Sequence, residues 1–283
     1  MTATLMQGRP LAERIRGEVA AEVGRIGRIG LVTVLVGDDP ASDVYIRLKH
    51  KAATAAGFDA TDLRLPADTT EEDLLAKVAE LNASADVDAI LVQLPLPPQI
   101  DEAKVIRAVA PAKDVDGFHP LNAGELYLGR PAIVSATPRG VMALLSEHQV
   151  PLDGARCVVI GRSAIVGKPV MHLLQQANAT VTLCHSHTRD LQRHTLDADV
   201  IVAAVGVPAL VSPDMVKERA VVVDVGMNRT EAGLVGDVDP GALEIASLMT
   251  PVPGGVGPMT IACLLQNAVQ CARYRRGELA YPG

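Results

Sequence analysis

The chain has 283 residues, 48% of them hydrophobic and 21% charged, and a formal net charge of -7 at pH 7. That length suits one large or two medium domains, the composition is that of a soluble globular protein, and the acidic balance argues against nucleic acid as the main partner. No apolar run reaches membrane-spanning length and no basic-then-apolar leader opens the chain, so a cytoplasmic protein without membrane partners is expected. Leu11, Ile15, Val19, Val23 and Ile26 fall on one face of an amphipathic helix. Residues 31–36, LVTVLV, read as a buried strand broken by Gly37, Asp38, Asp39 and Pro40. Ser42 then caps a helix that stops at Gly57, and residues 58–65 alternate as a strand. Thr70, followed by Glu71, Glu72 and Asp73, opens the next helix. Residues 89–94 form a strand that ends in a proline run, and a short helix from Asp101 leads to the loop KDVDGFHP over 113–120. Thr137 caps a helix with Pro138 at its first position, running to about His148. Apolar strands follow at 158–160, 179–185, 198–205 and 220–225, the last two ending at Gly206 and Gly226. The segment MTPVPGGVGPM over 249–259 is a shaped loop. A last helix over 260–276 carries Ile261, Leu264, Leu265, Ala268 and Val269 on one side and can return to the first domain. Strands alternating with helices predict an α/β protein with open parallel sheets, the second of Rossmann type.

The chemistry begins at residues 155–174, where an apolar strand ends at Gly161 and a helix opens at Gly167. Strand, glycine turn and helix N-terminus can hold a phosphate, because the glycines let the backbone approach and the free N–H groups face the anion. The spacing is not G-x-G-x-x-G, but Arg162 and Ser163 directly after the first glycine favour a nucleotide. An NAD site wants an acid near the end of the next strand. Here Cys184, His185, Ser186, His187, Thr188 and Arg189 occupy that stretch, with no carboxylate before Asp190. Arg162 and Ser186 suit a 2′-phosphate, so NADP is the expected cofactor; the alternative is a solvated loop.

In open α/β sheets ligands sit beyond the carboxyl ends of the strands. Tyr45 and Lys49 lie one turn apart on the helix after the first strand, Gln93 near the end of a later strand, and Asp116 in the glycine loop. Each has an ordinary reading, as core aromatic, solvated lysine, satisfied strand amide and turn former. Gln93 is the most telling, because an amide within AILVQLPL must find partners. Cys157, Cys184, Cys263 and Cys271 have no C-x-x-C spacing and read as small apolar residues of a reducing cytosol. No His, Cys and carboxylate cluster has ligand spacing, so no metal is expected.

Five uncommon stretches occur in order: Tyr45-x-x-x-Lys49, VQLPLP over 92–97, KDVDGFHP over 113–120, GRSAIVGKP over 161–169 and PVPGGVGPMT over 251–260. On these the chain resembles, over nearly all of its length, the bifunctional methylenetetrahydrofolate dehydrogenase/cyclohydrolase family. The resemblance implies a catalytic folate-binding domain of residues 1–137 plus 260–283, a Rossmann-type NADP-binding domain of residues 138–259, a folate cleft between them, and a homodimer. It implies that Tyr45 stacks on the folate ring system, that Lys49 is the catalytic lysine positioned by Gln93, and that Asp116 holds the pterin edge. It also implies that Leu94, Pro253, Gly254 and Gly255 line the substrate, and that Gly161, Arg162, Ser163, Ser186 and Met227 bind NADP. Two departures stand out. Residues 135–138 read Ser-Ala-Thr-Pro where the family commonly has Pro-Cys-Thr-Pro, and His187 stands where Lys, Arg or another residue is common. Two other classes stay open at the level of residues alone: another two-domain NADP dehydrogenase, such as the shikimate type, and a non-catalytic nucleotide-binding regulator.

Overall fold

In the computed structural model, which describes residues 2–37, 40–231 and 233–282 and no side chain of residues 40–45, the runs of Val, Ile and Leu form buried strands with helices between them. Along the chain come β1 (Thr4–Leu5), α1 (Gly8–Ile26), β2 (Gly30–Val36), α2 (Pro40–Ala55), β3 (Asp59–Leu65), α3 (Glu71–Ala83), β4 (Ala89–Val92), α4 (Glu102–Ala108) and α5 (Pro120–Tyr127). Then follow α6 (Ala136–Glu147), β5 (Arg156–Ile160), α7 (Gly167–Gln176), β6 (Thr180–Cys184), α8 (Leu191–Thr195), β7 (Val200–Ala203) and β8 (Val221–Asp224). The chain ends with β9 (Asn228–Thr230), β10 (Gly233–Val235), β11 (Leu248–Met249) and α9 (Val256–Arg275). These elements divide into two compact units. One comprises Arg14–Ser135 with Ile261–Gly283, the other Met1–Glu13 with Ala136–Thr260.

The first unit is built on a parallel sheet in the order β3-β2-β4. Every residue of β2 is buried, as a parallel strand covered on both faces requires. Val32, Val34 and Val36 pack with Leu74 and Val78 of α3 and Val105 of α4. Thr70 and Asp101 cap α3 and α4 by accepting from Asp73 N and Ala103 N. From Ile261 onward α9 belongs to this unit, with Ala262, Leu264, Leu265, Ala268, Cys271 and Ala272 all buried. From that residue on, the last helix therefore lies in the unit that holds β2, β3 and β4.

The second unit is a parallel sheet in the order β1-β11-β8-β7-β5-β6, with β9 and β10 as a separate antiparallel pair. All residues of β7 and β8 are buried, and Val158, Ile160, Ile201 and Val222 share one core with Val211, Val238 and Met249. This is the Rossmann-type arrangement expected of the four apolar runs. The first residues belong here too, because β1 adds to the edge of β11 through Thr4 and Leu5.

Three boundaries differ from expectation. The helical backbone of α2 already begins at Pro40, so Ser42 lies within the helix and not at its cap. Likewise α6 begins at Ala136, which puts Thr137 in the first turn, and its Oγ1 lies 2.9 Å from Thr260 Oγ1. The glycine-rich loop also winds up early. Helix α9 starts at Val256, with Pro258 in its first turn, where no N–H is needed. Helix α5 and strands β1, β9, β10 and β11 had no sequence signal. Strands of two or three residues are too short to show a period, and α5 carries a glycine in its middle.

Candidate active site

In the first unit the carboxyl ends of β2 and β4 bring three polar residues together. Lys49, on α2, donates from Nζ to Gln93 Oε1 at 3.1 Å. Gln93 extends β4 by one rung, its N–H donating to the Val34 carbonyl at 2.9 Å. Its side-chain NH₂ donates to the Leu94 carbonyl at 2.7 Å, which leaves the amide oxygen to face the amine. Leu94 is half-buried and takes part through that carbonyl. Asp114 forms an isolated parallel bridge to Ile90 of β4, and Asp116, two residues on, is near enough to Lys49 for their charges to act on each other. Tyr45 shares α2 with Lys49, and its side chain lies outside the described residues.

The electrostatics follow from withdrawal of these groups from water. Burial pulls the Lys49 ammonium below its ordinary pKa, against the attraction of Asp116. Burial, aided by the nearby charge of Asp114, outweighs the pull of Lys49 and pushes the Asp116 carboxyl up to about 6. Both groups are thus moved towards their neutral forms, as suits residues that exchange protons.

The loop that carries Asp116 is held by residues that the sequence did not single out. Asp114 is buried and accepts from Gly117 N at 3.1 Å, His119 N at 2.7 Å and Asn122 Nδ2 at 2.9 Å. Asn122 in turn accepts from Tyr281 at 2.7 Å. Asn267 of α9 is fully buried and donates to the carbonyls of Val115 and Val134 at 2.9 and 2.8 Å. Gly117 has φ +70, and a Cβ there would meet Ser135 N at 2.8 Å. An asparagine inside the apolar helix sequence LLQNAVQ was the available signal for Asn267.

In the second unit Gly161 ends β5 with φ +117, and its Cβ would collide with the Ala204 carbonyl. A Cβ on Gly167 would in turn collide with the Gly161 carbonyl. The turn is therefore as tight as glycine allows, which fits a backbone that must approach a phosphate. Ser163 is exposed, and its Oγ accepts from Val166 N at 3.1 Å and Gly167 N at 3.3 Å, so it closes the start of α7. Arg162 and Ser186 are both exposed. Arg162 lies close enough to His185 to depress that imidazole's pKa, second to burial. His185 and His187 meet edge to face, with ring centroids 6.0 Å apart. Turn, arginine and histidines thus lie together at the carboxyl ends of β5 and β6. Met227 is exposed just after β8. Pro253, Gly254 and Gly255 also lie in this unit, where Gly254 has φ +110 and its carbonyl accepts from Gly8 N at 2.9 Å.

Two buried carboxylates here also escaped the sequence reading. Asp237 accepts from Val205 N at 2.7 Å, Gly206 N at 2.9 Å and Asn228 Nδ2 at 2.9 Å. Asp224 accepts from Gly226 N, Asp237 N and Val238 N at 2.9, 2.9 and 3.0 Å, and burial pushes its pKa up to about 6. An acid closing the apolar run VVVD was the signal for Asp224. Among the described residues no group of three His, Cys, Asp or Glu side chains could hold a metal, and no helix is long and apolar enough to cross a membrane. The four cysteines are free and buried.

Residues 6–116 match the catalytic-domain model of the tetrahydrofolate dehydrogenase/cyclohydrolase family, and residues 135–276 match its NAD(P)-binding-domain model. The chain is 54% identical over 278 residues to the bifunctional protein FolD of Paraburkholderia xenovorans, covering 96% of this chain and 97% of that protein. It resembles the solved bifunctional FolD methylenetetrahydrofolate dehydrogenase/cyclohydrolase of Campylobacter jejuni, with TM-score 0.94 and 44% identity over 96% of this chain and 99% of that one. The Trypanosoma brucei methylenetetrahydrofolate dehydrogenase-cyclohydrolase, solved with NADP cofactor and inhibitor, has TM-score 0.92 and 39% identity over 99% of this chain and 100% of that one.

Proposed function

The chain belongs to the tetrahydrofolate dehydrogenase/cyclohydrolase family, and from that premise we infer how its residues divide the work of the two reactions. It is a bifunctional one-carbon folate enzyme. It oxidises methylenetetrahydrofolate to methenyltetrahydrofolate with NADP and then hydrolyses the product to formyltetrahydrofolate. The observation that carries the assignment of roles is the Lys49–Gln93 bond with the half-buried Asp116 close to the amine.

Bound to the second unit, NADP supplies the hydride acceptor. Gly161 and Gly167 admit its pyrophosphate to the backbone, and Arg162 with Ser186 takes the 2′-phosphate. Ser163 acts by fixing the first turn of α7, and Met227 adds apolar contact. In the first unit Asp116 accepts two N–H bonds from the amino-pyrimidine edge of the pterin, and the ring of Tyr45 stacks on its face. Leu94, beside Gln93, borders that contact within the same unit.

Loss of hydride turns the methylene bridge into a delocalised cation without releasing a proton from it. This step demands alignment and no strong base. A fully charged ammonium would repel the cation, and the lowered pKa of Lys49 reduces that repulsion. Water attack on the methenyl carbon does release a proton, and the neutral amine of Lys49 takes it while Gln93 holds the amine in place. The proton then passes to the ring nitrogen that leaves as the bridge opens.

The chain acts in the cytoplasm as a homodimer; sedimentation at the mass of one chain would contradict the dimer. The direct test of function mixes purified protein with methylenetetrahydrofolate and NADP and follows NADPH and methenyl absorbance. NADPH should appear with a transient methenyl signal. No NADPH would overturn the assignment.

A further inference from the structure

A buried carboxylate must find hydrogen-bond partners, and those of Asp237 lie just beyond the ends of two central strands. Asp237 follows β10 and is fully buried. Its Oδ2 accepts from two successive N–H groups, Val205 and Gly206, beyond the carboxyl end of β7. Its Oδ1 accepts from Asn228, beyond the carboxyl end of β8. Asp224, the last residue of β8, fixes Asp237 from behind by accepting from its backbone N–H and from those of Gly226 and Val238. The fit leaves no slack. A Cβ on Gly226 would collide with the Asp237 carboxylate, and one on Gly236 with that of Asp224.

The consequence reaches the phosphate turn through one peptide plane. The Val205 N–H that Asp237 holds belongs to the same trans peptide as the Ala204 carbonyl. In a trans peptide the N–H and the C=O point in opposite directions. With the N–H tied to Asp237, the carbonyl is turned towards Gly161, against which it lies too close for any Cβ. The carboxylate thus sets the floor under the glycine turn from one side, and through Gly206 and Asn228 it sets the two loops that follow β7 and β8. Those loops lie at the carboxyl ends of the strands, where a parallel sheet binds its ligand.

We propose that Asp237, seated by Asp224, is a positioning residue for NADP: it clasps the loops after β7 and β8 into the shape that the dinucleotide requires, without touching the reacting atoms. The proposal rests on the assignment of the second unit to NADP. It assigns the clasp to cofactor affinity and leaves the folate cluster of Lys49, Gln93 and Asp116 untouched.

The two activities provide the test. Hydrolysis of methenyltetrahydrofolate consumes no NADP, so it reports on the folate cluster alone. Asp237→Ala strands three donors and should raise the KM for NADP about tenfold or more, with kcat at saturating NADP and the KM for methylenetetrahydrofolate near wild type. Hydrolysis should continue at the wild-type rate. Asp237→Asn should fall between, because its amide oxygen keeps the Val205 and Gly206 donors while the Asn228 amide can turn its own oxygen to the new NH₂. If Asp237→Ala does not fold, Asp237→Asn decides: a raised KM for NADP with unchanged hydrolysis supports the clasp, and an unchanged KM overturns it. Equal loss of both activities in a folded variant would make Asp237 merely structural and also overturn it. A wild-type titration run alongside separates the two levels. No saturable dependence on NADP in the wild type removes the cofactor assignment, whereas wild-type KM in Asp237→Ala removes only the clasp.

Discussion

Single residues set the two binding chemistries apart. Arg162 stands beside Gly161 and close to His185, where the sequence has no carboxylate for a ribose hydroxyl. A planar guanidinium with its fork of donors suits a phosphate dianion. Arg162→Ala is therefore expected to weaken NADP far more than NAD; an equal loss in the two apparent affinities would remove Arg162 from the 2′-phosphate. Asp116 makes the complementary case with a negative charge. Burial raises its pKa to about 6, so the carboxyl is protonated below that pH and ionised above it. In the role proposed for it, only the ionised form would accept both N–H bonds of the pterin. The KM for the folate substrate should thus rise as pH falls through about 6, in both reactions, and should be flat over that range in Asp116→Asn. A wild-type KM that stays constant from pH 5 to 7 (a window of about one unit on either side of that pKa) would contradict the role. The sequence set Gln93 at a strand end, Asp116 in a glycine loop and Lys49 one helical turn from Tyr45, but each alone had an ordinary reading, and only the family resemblance gave them roles. It could not give Ser163 its observed partners, since a hydroxyl beside a glycine turn serves a phosphate or a helix end equally well.

At the scale of elements, long buried strands and capped helices were legible, and the devices that aim the loops were not. Strand β2 announced itself as LVTVLV, and Thr70 and Asp101 sat where caps belong. The loop of Asp116 is held from α9 by Asn267, some 150 residues away in sequence, and no local pattern encodes such a pairing. Asn267→Leu would leave the Val115 and Val134 carbonyls without their donor inside the unit. It should cost about 1–3 kcal/mol in stability and lower both activities through the Asp116 loop. Urea titration with parallel assays checks this. An unchanged midpoint and unchanged activities would mean that the loop needs no such anchor. The early start of α9 has a similar origin. A run of Pro and Gly reads as loop by composition, yet Val256 to Met259 can wind because Pro258 falls in the first turn.

At the scale of the whole chain, alternation of strands and helices was sufficient to foresee two parallel sheets, and burial of β7 and β8 on every residue shows why. The edges were less legible: β1 and β11 have two residues each, and they join a sheet whose identity was set by the longer strands. What the arrangement claims above all is a division of labour, with one unit holding the hydride acceptor and the other holding a lysine that moves a proton. Lys49→Gln tests that claim most directly, because glutamine keeps a hydrogen-bonding group at the position but cannot take the proton. Methenyltetrahydrofolate formation and decay are followed separately in the variant. NADPH should still form, the methenyl species should accumulate, and its enzymatic decay should be lost. Hydrolysis at the wild-type rate would show that Lys49 is not the base, and loss of hydride transfer together with hydrolysis would show that the lysine aligns the substrate for both steps.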